Sequence, residues 1–262
     1  FERPADVFAR LNTALARSGA QLEVDPGATS TTPIHLVFVG TPTESDLSWH
    51  LKHAITLGEN ASATVMEHHV ASGEHAHLGN DLLRITLAND AKLIHVRMQD
   101  DSTKSTRFLR TEADLSADAD YQRVDLELGA ALSRHELNVR LSGGRARLSA
   151  NGVLLADGRR HVDTRLGIEH VARNTACELT WRGLADGRGR AVFHGGITIH
   201  EGADGSDADL SNKNLLLSGN AEMDTTPTRS RPHMARPWGS STRPPCSTCV
   251  RADCRSPTHA AC

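Results

Sequence analysis

The sequence predicts an all-β solenoid, in which short strands stack in successive coils of the chain. Two near copies, Ile55 to Ala61 and Ile85 to Ala91, each join a strand to a turn that carries an asparagine. From Ala131 to Leu217, short apolar pieces alternate with Gly, Asp and Asn, and none is long enough for a sizeable helix. A repeat of about 20 to 50 residues built from strands and turns is typical of a solenoid.

The composition agrees with this fold class. Of 262 residues, 38% are hydrophobic and only 3% aromatic, which suits a core of stacked Leu, Val, Ile and Ala. A formal net charge of -3 provides no basic surface of the kind that binds nucleic acid. The lack of a long apolar run or a leader predicts a cytoplasmic protein, and the start at Phe1 predicts that N-terminal sequence is missing.

Three parts follow one another along the chain. Residues 1–20 predict a short helical segment, and residues 21–226 predict the solenoid core. Residues 227–262 are rich in Pro, Arg, Ser, Thr and Cys, show no periodicity, and predict an irregular C-terminal tail.

The first elements can be placed from local patterns. Apolar residues from Ala5 to Ser18 recur at helical spacing and Gly19 follows them, which predicts one short helix. Strands are predicted at Gln21 to Val24 and at Ile34 to Val39, and the second is apolar enough to be buried on both faces. Later strands are predicted at Ala63 to Met66, Leu93 to Met98, Val124 to Leu128, Glu136 to Leu141, Arg147 to Leu155 and Ala191 to Ile199.

Two histidine motifs suggest chemistry that their context does not support. His68 and His69 follow Glu67, but neighbours on a strand point to opposite faces, so we expect one imidazole in the solenoid and one in water. Ser133 and His135 lack the strained Gly-x-Ser-x-Gly turn of a nucleophile.

Glycine-rich stretches are predicted to be turns. They are Gly143-Gly144, Asp186 to Gly189 and Gly195-Gly196, and none precedes a helix that could hold a phosphate. The weak candidates for contacts with a cofactor are His161, His170 and Cys177. The simpler expectation places the two histidines on solenoid faces and Cys177 in the core as a small hydrophobe.

The tail carries a motif with an alternative meaning. Cys246 and Cys249 are spaced to grip one zinc ion from a single turn, and Cys254 and Cys262 follow. A zinc-binding protein that bears a solenoid is therefore the main alternative to an assembly or interaction protein. A carbohydrate-active solenoid enzyme is a third interpretation, which requires carboxylates such as Asp157, Asp163 and Glu169 to cluster on one face.

Several separated motifs occur in the order found in one protein family. They are Gly58 to Val65, Ser133 to Leu141, Asn151 to Gly158, His161 to Asp163, Ile168 to His170, Arg190 to Gly195, Asn212 to Ser218 and Ala221 to Thr225. They resemble the core of the SufB/SufD family of iron–sulfur cluster assembly proteins, over roughly residues 8–227. The Ser133 to Leu141 motif, SRHELNVRL, is more similar to the SufD branch than to the SufB branch.

The resemblance implies a right-handed parallel β-helix and a scaffold subunit that is not an enzyme. It further implies pairing with a SufB subunit and with the SufC ATPase, which docks on a C-terminal helical segment. No cofactor is then expected to bind tightly to this chain alone, because the iron–sulfur cluster belongs to the assembled complex.

The sequence departs from the family after Pro227, where the family continues into a strand, a Cys-Ser-His-Gly-Ala-Thr motif and the helical segment. The codons for Met234-Ala235 are ATG-GCN, and those for Trp238-Gly239 are TGG-GGN. In a reading frame that starts on the third base of each codon, these become GGC and GGG, and both encode glycine. The neighbouring shifted codons permit HGATVGQLD and then ALFYLR and RGL, which resembles the missing C-terminus. We therefore expect a frameshifted tail, accompanied by a small deletion, that has lost the interface motif and the docking segment.

The coding DNA tests this expectation directly. Read in the shifted frame from His233, it is expected to spell HGATVGQLD, because the forced glycines already have the family's spacing. Sequencing the gene is the measurement, and any other translation in that frame would remove the frameshift hypothesis.

Overall fold

A computed structural model describes residues 7–230 of the chain as one helix and fifteen strands, all paired in parallel. The elements are α1 Val7–Leu15, β1 Gln21–Val24, β2 Ile34–Gly40, β3 Ser48–Leu57, β4 Ser62–Ala71, β5 Leu78–Leu87, β6 Lys92–Asp100, β7 Thr106–Leu115, β8 Asp120–Glu127, β9 Leu132–Leu141, β10 Arg147–Ala156, β11 His161–His170, β12 Ala176–Ala185, β13 Arg190–Ile199, β14 Asp207–Leu216 and β15 Glu222–Ser230. The predicted parallel β-solenoid with a short N-terminal helix is confirmed. The last strand continues to Ser230, four residues past the boundary predicted at Thr226.

The strands alternate between two sheets. The odd-numbered strands form an eight-stranded sheet, here called sheet A, and the even-numbered strands form a seven-stranded sheet, here called sheet B. Each coil therefore contributes one strand to sheet A and one to sheet B, and the next coil pairs with it in both sheets. The two copies of the repeat seen in the sequence lie side by side in neighbouring strands, because Ile55 in β3 is the register partner of Ile85 in β5. No helix within residues 7–230 is long and apolar enough to span a membrane.

The turn from sheet A to sheet B repeats one backbone conformation. Asn60, Asp90, Asp118 and Asn174 all have positive φ, between 57° and 58°. Short polar side chains of this kind tolerate the left-handed region better than other non-glycine residues. The turns also stack, because the Asn60 N–H donates to the Asn89 carbonyl oxygen of the next coil at 2.9 Å.

An apolar ladder fills the part of the interior next to these turns. Ile55, Ile85, Val139, Ile168 and Ile197 occupy matching register positions of sheet A and are at most 3% exposed. Full burial of each such side chain contributes roughly 1.5–3 kcal/mol. The stacked coils thus share one continuous core, as expected for a solenoid.

The helix is tied to the outer face of sheet A by Asn12. Its side-chain amide donates to the carbonyl oxygens of Leu51 and Asn80, both at 2.8 Å, and the Asn80 amide donates to the Phe8 carbonyl oxygen at 2.9 Å. The ring of Phe8 also stacks on Phe108, with centroids 3.5 Å apart. These contacts come from residues distant in sequence, so the apolar spacing of the helix could not predict them.

The prediction that the second strand is buried on both faces is wrong. Val37 and Val39 in β2 are 56% and 52% exposed. Strand β2 is the outermost strand of sheet B among the described residues, and its outward side chains have no layer above them.

The prediction of a turn at Gly195-Gly196 is also wrong, because both residues lie within β13. Gly195 faces the interior, where an added Cβ would lie 2.6 Å from Leu210 Cδ2 and 3.2 Å from the Phe193 ring. Glycine is needed here for space between large neighbours rather than for a turn.

A second inward glycine provides a test of core packing. A Cβ on Gly152 would lie 2.2 Å from Nε1 of Trp181, its fully buried register partner in β12. We expect Gly152→Ala to lower the free energy of unfolding by about 1–3 kcal/mol, because the rigid indole has no room to move. Urea unfolding measures this. The control is Gly219→Ala, whose added Cβ would meet open space, and equal stability losses in the two variants would contradict the packing.

Candidate functional site: a buried polar network inside the solenoid

The interior changes from polar to apolar along the solenoid. The inward positions of β8 are Tyr121, Arg123, Asp125 and Glu127, all at most 1% exposed. Their register partners in β10 are Leu148, Ala150, Gly152 and Leu154. The inward-facing charges therefore lie in the coils that precede β10, and with the polar side chains that they bond to they form what we call the buried polar network.

One branch of the network converges on Glu67. Its carboxylate accepts hydrogen bonds from His69 Nε2 at 2.5 Å and from His95 Nε2 at 3.0 Å. His95 Nδ1 lies 3.1 Å from the Tyr121 hydroxyl, which accepts from Arg123 Nη1 at 2.8 Å. With the Nε2 proton committed to Glu67, His95 Nδ1 accepts the hydroxyl proton of Tyr121.

The protonation of this branch follows from burial and hydrogen bonding together. Burial alone raises the pKa of Glu67, but hydrogen bonds from His69 and His95 outweigh it and hold this pKa well below its ordinary value. Burial lowers the pKa of His69 and of His95. The branch is therefore a charged carboxylate held by two neutral imidazoles.

A second branch is a buried ion-pair ladder. The Asp125 carboxylate accepts from Arg123 Nε at 2.8 Å and from Arg97 Nε at 2.7 Å. Burial raises the pKa of Asp125, but the two guanidinium groups override it and keep this pKa far below its ordinary value. Loss of one partner in such a pair is strongly destabilising, because it leaves an uncompensated buried charge.

The ladder continues to Glu127 and joins the two sheets. Glu127 lies 3.4 Å from Arg97 Nη2 and accepts from Thr164 Oγ1 at 2.9 Å and from His135 Nδ1 at 3.1 Å. Glu127 belongs to sheet B, whereas His135 and Thr164 belong to sheet A. The network thus fastens opposite walls of the solenoid.

Near the N-terminal end, Arg107 is shared by two carboxylates. Its Nη1 lies 3.2 Å from Asp81 Oδ2, its Nε pairs with Asp101, and its guanidinium carbon lies 4.9 Å from the centre of the Trp49 ring. Burial raises the pKa of Asp81 to about 6, although Arg107 opposes the shift. Asp81 Oδ2 is also 3.9 Å from His69 Nδ1, which connects this group to the Glu67 branch.

Two of the weak candidates from the sequence meet, and the third lies apart. His170 Nε2 is 3.3 Å from Cys177 Sγ, and His170 Nδ1 is 2.7 Å from Thr175 Oγ1. Cys177 is buried, as expected, but the expectation that His170 lies on a solenoid face is wrong, because it takes the last inward position of β11. His161 begins the same strand, where burial and Arg190 lower its pKa.

The other motifs have the environments that their alternation predicts. His69 is fully buried, whereas His68 lies on the outer face beside His35, so the expected separation of the two neighbours is confirmed. Ser133 and His135 are both buried inward side chains of β9, 2% and 1% exposed. They offer no accessible nucleophile and base. The four tail cysteines lie outside the described residues.

A groove of about 1010 Å³ crosses the outer face of sheet A and tests the carbohydrate interpretation. Three carboxylates line it: Glu112 accepts from Arg110 Nε at 2.9 Å, Asp114 accepts from Ser142 Oγ at 2.9 Å, and Glu169 lies 3.3 Å from His200 Nε2. Asp163 is outside the groove lining and accepts from Arg134 Nε at 2.8 Å. Of the three carboxylates named for the carbohydrate interpretation, Asp157, Asp163 and Glu169, only Glu169 lines the groove.

Sequence reasoning missed the buried polar network itself. A signal was present in β6 and β8, where a polar or charged side chain occupies every second position: His95, Arg97 and Gln99, then Arg123, Asp125 and Glu127. Alternation shows that such side chains share a face, but it does not show that this face points inward.

Comparisons with known proteins agree on one family. A family model described as SUF system FeS cluster assembly, SufBD core domain, matches residues 39–230. Over 225 residues the chain is 30% identical to the iron-sulfur cluster assembly protein SufD of Escherichia coli, covering 85% of this chain and 53% of that protein. It is 26% identical over 230 residues to a SufBD family protein of Synechocystis, with coverages of 85% and 51%. The chain spans about half the length of the curated relatives it matches.

The buried histidines predict how stability depends on pH. Burial lowers the pKa of His69, His95 and His135 from 6.5, so just below that pH the unfolded chain binds protons that the folded chain does not. The free energy of unfolding should fall from about pH 7 to about pH 5, by up to about 1.4 kcal/mol per pH unit for each histidine. Asp81, with a pKa raised to about 6, opposes this, because its stabilising proton is lost as the pH rises through 6.

Urea unfolding at several pH values measures this slope. The variant His95→Gln should reduce it, whereas Leu93→Ala, at the preceding inward position and 1% exposed, should lower stability at every pH alike. A free energy of unfolding that stays constant across this range would contradict the neutral buried imidazoles.

Proposed function

Since this chain is a SufD-like member of the SufB/SufD family, we propose that it is a scaffold subunit for iron–sulfur cluster assembly. Its proposed partners are a SufB-like subunit and a SufC-like ATPase. The observation that carries the proposal is the unbroken solenoid from β2 to β15, which coincides with the residues matched by the family model.

The interior supports a scaffold role rather than an enzymatic one. The titratable groups of the buried polar network bond to one another, and Glu67, Arg97, Asp125 and Glu127 are at most 6% exposed. Substrate has no access to groups enclosed in this way. Their effect is to fasten successive coils and to make the solenoid a stiff platform.

The cluster is proposed to belong to the complex and not to this subunit alone. Protein-bound iron–sulfur clusters are usually held by about four cysteine thiolates. Residues 7–230 contain only Cys177, which is buried, and they include no group of three or more His, Cys, Asp or Glu placed to hold a metal ion. A cluster would therefore need ligands from a partner.

The C-terminal end of the solenoid is the proposed SufB-facing surface. Strands β14 and β15 are the outermost strands of their sheets among the described residues. Leu215, Leu216 and Leu217 are consecutive and 54%, 44% and 54% exposed. An apolar patch beside the edges of two sheets is suited to a partner that adds strands and covers the leucines.

SufC docking is proposed to be lost from this chain. The family resemblance places SufC binding on a C-terminal helical segment, and the frameshift hypothesis removes that segment from residues 233–262. The complex would then contain SufC only through the SufB-like subunit.

Coexpression with the SufB-like and SufC-like proteins of the same organism tests the proposal. Affinity capture of the full chain should retain the SufB-like protein. In the absence of the SufB-like protein, it should not retain the SufC-like ATPase. The double variant Leu215→Asp/Leu217→Asp should weaken SufB capture by about tenfold or more, because charges would enter an apolar contact.

The matched control is Val37→Asp/Val39→Asp, which changes two equally exposed apolar residues at the opposite end of sheet B. It should leave SufB capture unchanged. Equal losses in the two double variants would overturn the proposed surface, and strong capture of SufC by this chain alone would overturn the loss of docking.

A further inference from the structure

Two histidines from different coils approach each other on the outer face of sheet B. His35 Nδ1 lies 3.1 Å from His68 Nε2. The rings are nearly parallel, with an interplanar angle of 9° and centroids 5.3 Å apart. His35 is exposed and His68 is partly exposed, so an ion from solvent has open access to both nitrogens.

A thioether lies beside this pair. Strands β2 and β4 are neighbours, and His35 is the direct register partner of Met66. Met66 and His68 share the outer face of β4, because the alternating residues Glu67 and His69 are buried. His35, Met66 and His68 therefore occupy neighbouring positions on the outer face of sheet B, and we call these three residues the outer triangle.

The outer triangle offers a donor set for a soft metal ion. Two imidazole nitrogens that each bind one ion at about 2.0–2.1 Å in tetrahedral geometry lie roughly 3.3 Å apart. The observed separation of 3.1 Å is close to that value, and rotation of the two side chains, which now face each other head-on, would aim both nitrogen lone pairs at one ion. Imidazole accepts several transition metals, but a thioether ligand selects Cu⁺. We propose that His35, Met66 and His68 bind a cuprous ion on the outer face of sheet B.

The buried histidines cannot supply an equivalent site. His69 Nε2 donates its proton to Glu67, which leaves only Nδ1 as a donor atom to a metal. His53 Nδ1 accepts the backbone N–H of Ala20, so the proton of the neutral ring is on Nε2, and the ring is buried away from ions in solvent. The outer pair differs, since its only shared contact is between the two rings, and one metal ion can replace the shared proton.

The test uses the full chain with four tail positions changed, so that their thiols do not compete for copper. The background variant is Cys246→Ser, Cys249→Ser, Cys254→Ser and Cys262→Ser. Anaerobic titration with Cu⁺ against a colorimetric chelator should give one ion per chain. His35→Gln or His68→Gln should each weaken binding by about tenfold or more, and Met66→Leu should weaken Cu⁺ binding more than Cu²⁺ binding.

The control is His200→Gln, which removes an exposed imidazole that pairs with Glu169 on sheet A. It should leave copper affinity unchanged. Thermal melts should show that the outer-face variants remain folded, because His35 and His68 make no core contact of the kind His69 makes. Copper binding that survives both His35→Gln and His68→Gln, or the absence of stoichiometric binding in the background variant, would overturn the proposal.

Discussion

Every charge that enters the interior of this solenoid needs a buried partner, either on its own strand, in a neighbouring coil or on the opposite wall. Asp125 shows the constraint most clearly, because it is fully buried and accepts from both Arg97 and Arg123. A shift of one register position would turn these side chains outward and bring Gln122, Val124 and Leu126 inward. The ion pairs therefore specify the alignment of the coils as well as contributing to their stability.

The same constraint explains how the interior is divided. Next to the turns that carry Asn60 and Asp90, the interior is a ladder of stacked apolar side chains. On the other side, in the coils before β10, it is a hydrogen-bonded network with fixed donors and acceptors. From β10 onward, Trp181 and Phe193 fill the corresponding space, with ring centroids 6.0 Å apart. Along one solenoid, a hydrogen-bonded polar interior is thus followed by an apolar interior that contains large aromatic side chains.

The interior side chains therefore serve stability, whereas the outward side chains are available for binding. The carboxylates of the network are enclosed, and Glu67, Asp125 and Glu127 accept hydrogen bonds from neighbouring side chains. The surfaces left for binding are the outward positions and the ends of the sheets, where Leu215 and Leu217 are exposed and where His35 meets His68. Fixed surfaces of this kind are the property that the proposed scaffold role requires.

The sequence by itself determined the solenoid, the asparagine turns and the opposite facing of His68 and His69, because these depend on local alternation and on turn chemistry. It did not determine which residues meet between coils. Register partners lie 26 to 33 positions apart, so the spacing is too irregular to extrapolate from one repeat. Only the tertiary structure brought Glu67 to His95 and His170 to Cys177, and it left Val37 uncovered at the edge of sheet B. Alternation sets the face on which a side chain lies, whereas the stacking of coils decides its neighbours.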